Sequence, residues 1–430
     1  MNNENARCAY DGEENAQLSP LQRLPVEIFL HICSFLDGST LHGLSLVCTR
    51  FYLILKDANS LWKAQINHIW PYASWLLCPA RPDKLSWMSS YVAIKQETAL
   101  WKQQESRKKR LFIKKMPADE IDAVLLMHVN GISHLVYAFG QDLRYTQLPS
   151  REKLSHEIEN SGDIAKPHQW SRIMGLTAIN NTIYSCGADN TVRSWVLTNT
   201  GLIHQRIYDL RRSDNFHSFL WRISSCPEDN LFATGSSCGT IYVFDSRSRN
   251  NPIRHYRPHT KPVNSLAMNT EYILSATAND YTMSIWDQRA GRTMKSITFP
   301  GVTYPTVPTC INMQRDLVFV GTMSRDTWFS FDPLKLHVLN PKDDFKIVKS
   351  YSTKHTGNIT GVHLTHGCLI TSSRDGTVKI SSLTDPSKPI ATLRSEMRHI
   401  SDVVENRRSR ERETEFKLSM TSRDALRHVT

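Results

Sequence analysis

Residues 183–195 read IYSCGADNTVRSW, and this pattern decides the fold of most of the chain. A short apolar run ends in small residues, a polar turn around Asp189 follows, and an alternating segment leads to Trp195. Two extended segments joined by a tight polar turn predict a β-hairpin. Four further segments share the pattern: Leu231 through Asp245, Tyr272 through Asp287, Leu317 through Asp332 and Leu369 through Ser381.

Two weaker copies flank these five, at residues 135–148 and 416–430. The turns recur about every 40 to 50 residues, which is the period of radial repeat folds, at Asp142, Asp189, Cys238, Asp280, Arg325, Asp375 and Asp424. Seven such units predict a seven-bladed β-propeller. We expect residues 110–115 to supply the outer strand that the last unit lacks, because ring closure removes exposed sheet edges.

The chain before residue 110 has a helical pattern instead. After Leu24-Pro25, the apolar residues Ile28, Ile32 and Phe35 follow one another at spacings of three and four, which predicts one face of a helix. We expect three short helices within residues 24–70. So small a module has a marginal core, and any apolar surface left over needs a partner.

The order of the N-terminal motifs resembles that of the F-box. The motifs are LPVEIF at 24–29, HICSFLD at 31–37, LSLVC at 44–48 and LWK at 61–63. The resemblance implies docking on a Skp-type adaptor that bridges to a cullin scaffold; the alternative is an unrelated three-helix module. By resemblance, the following residues divide between the core of the module and the adaptor interface: Leu24, Pro25, Ile28, Ile32, Leu36, Leu41, Val47, Leu61 and Trp62.

The hairpin repeats resemble WD40 repeats. Trp286-Asp287 has the dipeptide, Phe244-Asp245 and Phe331-Asp332 are aromatic variants, and His259 and His355 stand near the family's histidine position. The whole chain therefore resembles the F-box/WD-repeat substrate receptors of ubiquitin ligases. The implied fold is a small all-α F-box plus an all-β seven-bladed WD40-type propeller. The expected divisions are a disordered tail (1–19), an F-box (20–70), a helical spacer (71–109) and a propeller (110–430).

The propeller repeats contain candidate residues for binding a client protein. Ser-Arg-Asp occurs three times, and in related receptors an arginine before the blade aspartate points to one face, where forked guanidinium donors suit phosphate. The candidates that the resemblance implies are Arg222, Arg325, Arg374 and Arg423, with Trp170 and Trp221 on the same face. The alternative is that these arginines pair with the neighbouring aspartates and that the tryptophans only pack within blades.

The composition and the motif content exclude several classes of function. Lys and Arg number 52 against 41 Asp and Glu, which gives a net charge of +11. No Gly-rich phosphate loop, HExxH or CxxC spacing occurs, so we expect no catalytic residue, metal or cofactor. No apolar run is long enough to span a membrane, and nine scattered cysteines predict an intracellular protein, cytoplasmic or nuclear. The favoured hypothesis is a non-catalytic receptor subunit of a ligase. The alternative is a scaffold, or a basic propeller that binds nucleic acid, acting outside a ligase.

Overall fold

The computed structural model divides the chain into two compact units, residues 1–100 and 101–430. It describes residues 19–69, 86–106, 122–147, 171–198, 201–210, 218–248, 251–277, 280–301, 305–314, 317–323, 334–365, 368–382, 387–394, 402–405 and 418–421. None of the described helices is both long and apolar enough to cross a membrane.

The first unit is helical. Residues 24–70 form four helices where three were predicted, because the segment after the second helix forms a helix of its own; a 3-10 turn precedes them and a fifth helix follows. The elements are the turn Pro20–Arg23, α1 (Val26–Cys33), α2 (Gly38–Ser45), α3 (Thr49–Asp57), α4 (Asn59–Ile69) and α5 (Trp87–Ser106), of which α5 belongs to this unit as far as residue 100. Asp37 begins α2, because its carboxylate accepts a hydrogen bond from the Ser39 amide at 3.1 Å.

The core of this unit is built around the indole of Trp62. The ring is fully buried, and its Nε1 donates to the Leu55 carbonyl at 2.7 Å. Tyr91 of α5 packs on it with 5.2 Å between ring centroids. A Cβ atom at Gly38 would lie 2.4 Å from the Tyr91 ring, so only glycine permits this approach. The remaining core side chains include Phe29, Cys33, Leu41, Phe51, Leu55 and Ile66.

The second unit is a β-propeller whose described residues form six blades, each an antiparallel sheet. Blade 1 has three strands and blades 2 to 6 have four. The strands are β1 (Ala123–Val129), β2 (Ile132–Phe139) and β3 (Asp142–Gln147) in blade 1; β4 (Ile173–Ile179), β5 (Thr182–Gly187), β6 (Thr191–Thr198) and β7 (Gly201–Asp209) in blade 2; β8 (Leu220–Cys226), β9 (Leu231–Ser236), β10 (Ile241–Asp245) and β11 (Arg254–Tyr256) in blade 3; β12 (Val263–Met268), β13 (Tyr272–Thr277), β14 (Thr282–Asp287) and β15 (Arg292–Thr298) in blade 4; β16 (Val307–Gln314), β17 (Leu317–Met323), β18 (Lys335–Asn340) and β19 (Lys346–Ser352) in blade 5; β20 (Ile359–Leu364), β21 (Cys368–Ser373), β22 (Thr377–Ser382) and β23 (Pro389–Arg394) in blade 6.

The prediction of seven blades is wrong for the described residues. In place of a seventh blade there is a two-stranded sheet of β24 (Asp402–Glu405) and β25 (Leu418–Thr421). β25 pairs with β24 as the second strand pairs with the first in the other blades, and residues 422–430, with the turn predicted at Asp424, lie outside the described residues. β24 lies beside β20 on one side and β1 on the other, between the last blade and the first. The closing strand expected at residues 110–115 lies outside the described residues.

Blade 5 differs from its predicted hairpin in where the second strand begins. The repeat pattern placed both strands within residues 317–332, but β17 pairs with β18, which starts at Lys335. Val318 pairs with Leu339, as Ile273 pairs with Trp286 in blade 4. The Phe331-Asp332 dipeptide is therefore not the counterpart of Trp286-Asp287, because a longer connection follows β17. The other four strong hairpins, and that of the first weak unit, are confirmed.

The innermost strands share a bulge near their start. In five consecutive blades the pairing of the first strand with the second shifts register by one residue. The extra residues are Met174, Trp221, Asn264, Thr309 and Thr360. A bulge bends the strand and redirects the side chain that it carries. Similar shifts interrupt the outermost strands β7, β15, β19 and β23, which makes their exposed edges poor templates for strand addition.

A buried hydrogen-bond network joins the turn of blade 6 to the loop before that blade. Nδ1 of His355 lies 3.1 Å from the Asp375 carboxylate, and its Nε2 lies 2.9 Å from Oγ1 of Thr371. The amides of Thr356 and Thr377 also donate to this carboxylate, each at 2.9 Å. Burial by itself would raise the pKa of Asp375, but these hydrogen bonds outweigh it and hold the pKa well below its usual range.

The same pair is looser in blade 4. His259 Nδ1 lies 3.8 Å from the Asp280 carboxylate, and its Nε2 lies 2.9 Å from Oγ of Ser275. Burial lowers the pKa of His259, so this ring favours the neutral form. The histidine–aspartate arrangement implied by the WD40 resemblance is therefore tight in blade 6 and weaker in blade 4.

We expect Asp375→Ala to lower the free energy of unfolding by about 2–3 kcal/mol, because it leaves buried donors without an acceptor. Urea unfolding followed by tryptophan fluorescence measures this change. The matched control is Asp343→Ala, since Asp343 pairs with Lys346 at an exposed site, where a salt bridge contributes at most about 1 kcal/mol.

The stabilisation by Asp375 also has a defined pH dependence. Because the folded state depresses the pKa of this carboxyl, its contribution is complete above the unfolded-state pKa of about 3.9 and is lost as the pH falls below it. The stability difference between the wild type and Asp375→Asn should therefore shrink below about pH 4. A difference that grows on acidification would contradict this assignment.

Candidate functional site

The helical unit leaves several large apolar side chains exposed. Ile28, Ile32 and Phe35 follow one another along α1 and the residues just after it, and Phe35 is 78% exposed. Leu46 and Val47, directly after α2, are 71% and 66% exposed. Single exposed apolar residues are common on proteins, but so many on one small unit indicate a surface that a partner covers.

The backbone beside this surface is held by partly buried polar side chains. The Arg50 guanidinium donates to the carbonyls of Gln22 and Leu24, the latter at 2.8 Å. The Gln65 amide donates to the Leu36 carbonyl at 2.8 Å. These bonds join the segments before and after α1 to α3 and α4. The exposed face of α1 is therefore presented on a backbone that the unit anchors at both ends of the helix.

The residues predicted to divide between the core of the module and the adaptor interface fall into three groups by their exposure. Pro25, Ile28, Ile32 and Val47 are exposed, and Leu24, Leu36 and Leu61 are partly buried. Leu41 and Trp62 are wholly buried, so of the two roles that the resemblance implies they have that of core residues. The helical spacing shows which residues share a face, but it does not show which face the other helices cover.

Several exposed residues were missed as interface candidates. Phe35 continues the spacing of Ile28 and Ile32, and that signal could have identified it. Leu46 lies beyond the end of α2, where helical periodicity gives no guidance. The other missed apolar residues with substantial exposure are Val26, Tyr52 and Leu53.

The described part of the predicted client face contains Arg222 and Arg374, both exposed. Arg222 lies near the start of β8, and its Nε donates to the Asn264 carbonyl at 2.8 Å. Arg374 lies in the turn between β21 and β22, and its amide donates to the Asn358 carbonyl at 2.9 Å. Innermost strands begin at the end of the propeller where these turns lie, so both arginines are at that end. Arg325, Arg423 and Trp170 lie outside the described residues.

Trp221 lies at the same end of the propeller. It is the bulge residue of β8, is partly buried, and lies 5.4 Å from the Phe219 ring. Its indole N–H is buried and makes no hydrogen bond to the part of the chain that the structure describes. The bulge therefore places an aromatic surface directly beside Arg222.

The described residues give no sign of a metal centre. Within those ranges, no group of three or more His, Cys, Asp or Glu side chains could hold a metal ion. The seven described cysteines are free thiols. Burial raises the pKa of Cys186 to about 12 and that of Cys226 to about 11, so both thiols are poor nucleophiles at neutral pH.

Comparison with protein families finds two matches. The F-box-like family matches residues 21–67, and the WD domain, G-beta repeat, matches residues 209–245, 250–287 and 345–380. The second and third WD matches begin in or just before the outermost strand of one blade and end in the third strand of the next. Each such repeat therefore connects two neighbouring blades.

Similar proteins combine the same two modules. The chain is 24% identical over 383 residues to human F-box/WD repeat-containing protein 9, covering 87% of this chain and 76% of that protein. It is 22% identical to the Caenorhabditis elegans F-box/WD repeat-containing protein mec-15, covering 79% of each. The predicted resemblance to F-box/WD-repeat proteins is confirmed.

A solved structure supports the propeller fold. A chain of the mitotic checkpoint complex crystal structure superposes with a TM-score of 0.51 at 13% identity, covering 69% of this chain and 86% of that one. At this identity the similarity concerns the fold alone.

We expect Leu41→Ala to destabilise the helical unit by about 2–4 kcal/mol, because it removes a wholly buried side chain and leaves a cavity. Phe35→Ser and Leu46→Ser should each change stability by less than about 0.5 kcal/mol, since both side chains already contact water. Denaturant unfolding of the variants measures the difference. A large loss of stability in Phe35→Ser would show that this side chain is part of the core.

Proposed function

We propose that this protein is the substrate-recognition subunit of an SCF-type ubiquitin ligase, in which the F-box docks a Skp-type adaptor and the propeller binds the client. The observation that carries the proposal is the exposed apolar surface of the helical unit, formed by Ile28, Ile32, Phe35, Leu46 and Val47. This surface lies on the segment that matches the F-box-like family, and a propeller follows it in the chain.

The proposed role is non-catalytic. The adaptor and cullin would connect this chain to the subunits that carry the thioester-bound ubiquitin. Holding a client on the same assembly raises the effective concentration of its lysines near that thioester, so tethering is the whole mechanism. The proposed division of the chain for this role is tail 1–19, F-box 20–70, spacer 71–109 and propeller 110–430.

We expect the double variant Phe35→Ser/Leu46→Ser to bind a purified Skp-type adaptor at least about tenfold more weakly than the wild type, because both changes remove buried apolar anchors from the interface. Titration calorimetry measures the affinity, and affinity purification with mass spectrometry tests cullin recovery. The matched control is Ile253→Ser, which changes an exposed isoleucine of the propeller that is 47% exposed.

The wild type and the double variant must first give the same circular dichroism spectrum, so that a loss of binding reflects the surface and not the fold. Adaptor binding by the wild type and the control, but not by the double variant, supports the proposal. If the intact chain recovers neither adaptor nor cullin, the proposal is wrong and a scaffold role outside a ligase becomes the better explanation.

We further propose that the client binds at the end of the propeller that carries Arg222 and Arg374, with Arg325, Arg423, Trp170 and Trp221 completing the surface. In support, both described arginines are exposed and their guanidinium groups can pair with acidic or phosphorylated side chains. Trp221 lies at the same end of the propeller and is next to Arg222 in the chain.

The expected result is that Arg222→Ala/Arg374→Ala keeps the adaptor but loses most of the co-purified client proteins, because each desolvated arginine contact contributes about 1.5–3 kcal/mol. The control is Arg254→Ala, since Arg254 is also exposed and also donates to a backbone carbonyl, that of Gln288 at 2.7 Å. Quantitative mass spectrometry compares the three proteins. Unchanged client recovery in the double variant would exclude this face.

A further inference from the structure

The face of blade 2 that packs against blade 3 contains a polar row. Tyr184, Ser194 and Arg206 stand directly opposite one another on β5, β6 and β7. The adjacent row, Cys186, Val192 and Tyr208, packs into the buried cluster that includes Phe232 and Phe244 of blade 3. Polar residues in the first row therefore interrupt a surface that is otherwise buried between blades.

Blades 4 and 6 show what the middle position of this row holds when it serves packing alone. The equivalent rows are Leu274–Ile285–Lys295 and Ile370–Ile380–Ala391. Ile285 and Ile380 are fully buried and belong to the apolar clusters of their blades. Ser194 stands where those isoleucines stand, so blade 2 lacks the side-chain volume that fills the space in its sister blades.

A cavity of about 160 Å³ occupies this region. The polar row lines it together with Tyr208 and two turn residues, Asn180 from the β4–β5 turn and Asn230 from the β8–β9 turn. No Asp or Glu is among the lining residues. The neighbouring Asp245 carboxylate is paired with Arg247 at 3.2 Å, so it is already neutralised.

The cavity lining consists largely of hydrogen-bond donors and one positive charge. The Arg206 guanidinium is held by the carbonyls of Ser246 and Ser248 at 3.4 and 3.2 Å, donating to both through Nη1, and its other nitrogens keep donors for a ligand. Burial raises the pKa of Tyr184 to about 12 and also raises that of Tyr208, so both hydroxyls are protonated donors at neutral pH.

The Tyr208 hydroxyl is the second indication of a ligand. Tyr208 is fully buried, and its hydroxyl makes no hydrogen bond within the described ranges of the chain. Leaving a buried hydroxyl unpaired costs about 1–3 kcal/mol, and a ligand in the cavity that this residue lines would satisfy it. Charge and donors together favour an anion with several oxygens.

We propose that the cavity between blades 2 and 3 is a binding site for a phosphate group. A tetrahedral phosphate offers acceptors in several directions, which suits hydroxyl, amide and guanidinium donors that surround a cavity better than a planar carboxylate would. Asn180 and Asn230 lie in turns that leave the innermost strands, so this site is at the opposite end of the blades from Arg374. The proposal is independent of the proposed ligase role and of the client face.

The test uses inorganic phosphate and capped phosphoserine as probes, with ³¹P NMR line broadening on the full-length chain at constant ionic strength in chloride. We expect saturable binding in the millimolar range or tighter, and at least about tenfold weaker binding in Arg206→Gln and Ser194→Ile. Ser194→Ile fills the cavity with the residue that blades 4 and 6 already accommodate, so it should fold. Tyr208→Phe, which removes only the hydroxyl, should weaken binding about fivefold.

Arg254→Gln is the matched control, because it removes an exposed arginine of blade 3 that does not line the cavity. It should bind phosphate as the wild type does. If phosphoserine binds at least as tightly as inorganic phosphate, the ligand is a phosphorylated side chain. If only inorganic phosphate binds, the ligand is the free ion. Either outcome supports the site. Equal affinities in all four variants, no saturable binding, or tighter binding of acetate than phosphate would overturn the proposal.

Discussion

A four-stranded blade has two apolar faces, and neither is buried unless another sheet covers it. In blade 2, Ile183 and Trp195 belong to the cluster shared with blade 1, whereas Tyr184 and Val192 belong to the cluster shared with blade 3. Every blade therefore needs a neighbour on both sides, and the series of blades has to return to its start. The position of β24 between β20 and β1 follows from this requirement, although its sheet has only two strands.

The same requirement indicates where function lies, because the two candidate sites are places where packing does not explain the residues. Phe35 and Leu46 are exposed although the helical unit has a filled core around Trp62. Ser194 stands between two blades, at the place where blades 4 and 6 have isoleucine. In the helical unit, apolar side chains are exposed to solvent. In blade 2, a polar side chain occupies a position that an apolar side chain fills in blades 4 and 6.

Much of the fold could be predicted from the sequence because its signals are local. A strand alternation with an Asp-containing turn identifies each hairpin, and helical spacing with Leu24-Pro25 identifies the F-box. The errors arose where pairing partners are distant. The start of β18 at Lys335 depends on the number of residues between it and β17, which the repeat pattern does not set.

The sites were less predictable, since they depend on contacts between elements. Helical periodicity groups Ile28, Leu41 and Trp62 as apolar, but only the packed unit shows that the first is exposed and the other two are core. The cavity in blade 2 requires the register of three strands at once, which no single segment of sequence contains. The position of Arg374 could be predicted because it precedes the aspartate of the hairpin turn in a repeated Ser-Arg-Asp motif, and that aspartate locates the turn in the blade.

The bulges connect the fold to the proposed client face. An unbroken pairing of β8 with β9 would continue the alternation of side chains past Leu220. The extra residue at Trp221 changes the alternation there, and the same shift occurs at Asn264 on the neighbouring strand. The Asn264 carbonyl then accepts the hydrogen bond from Arg222 Nε, which holds one side of the guanidinium and leaves its other donors exposed. In blade 3 this irregularity thus places a cationic and an aromatic side chain at one end of the propeller, while the regular parts of the same strands supply the rigid support.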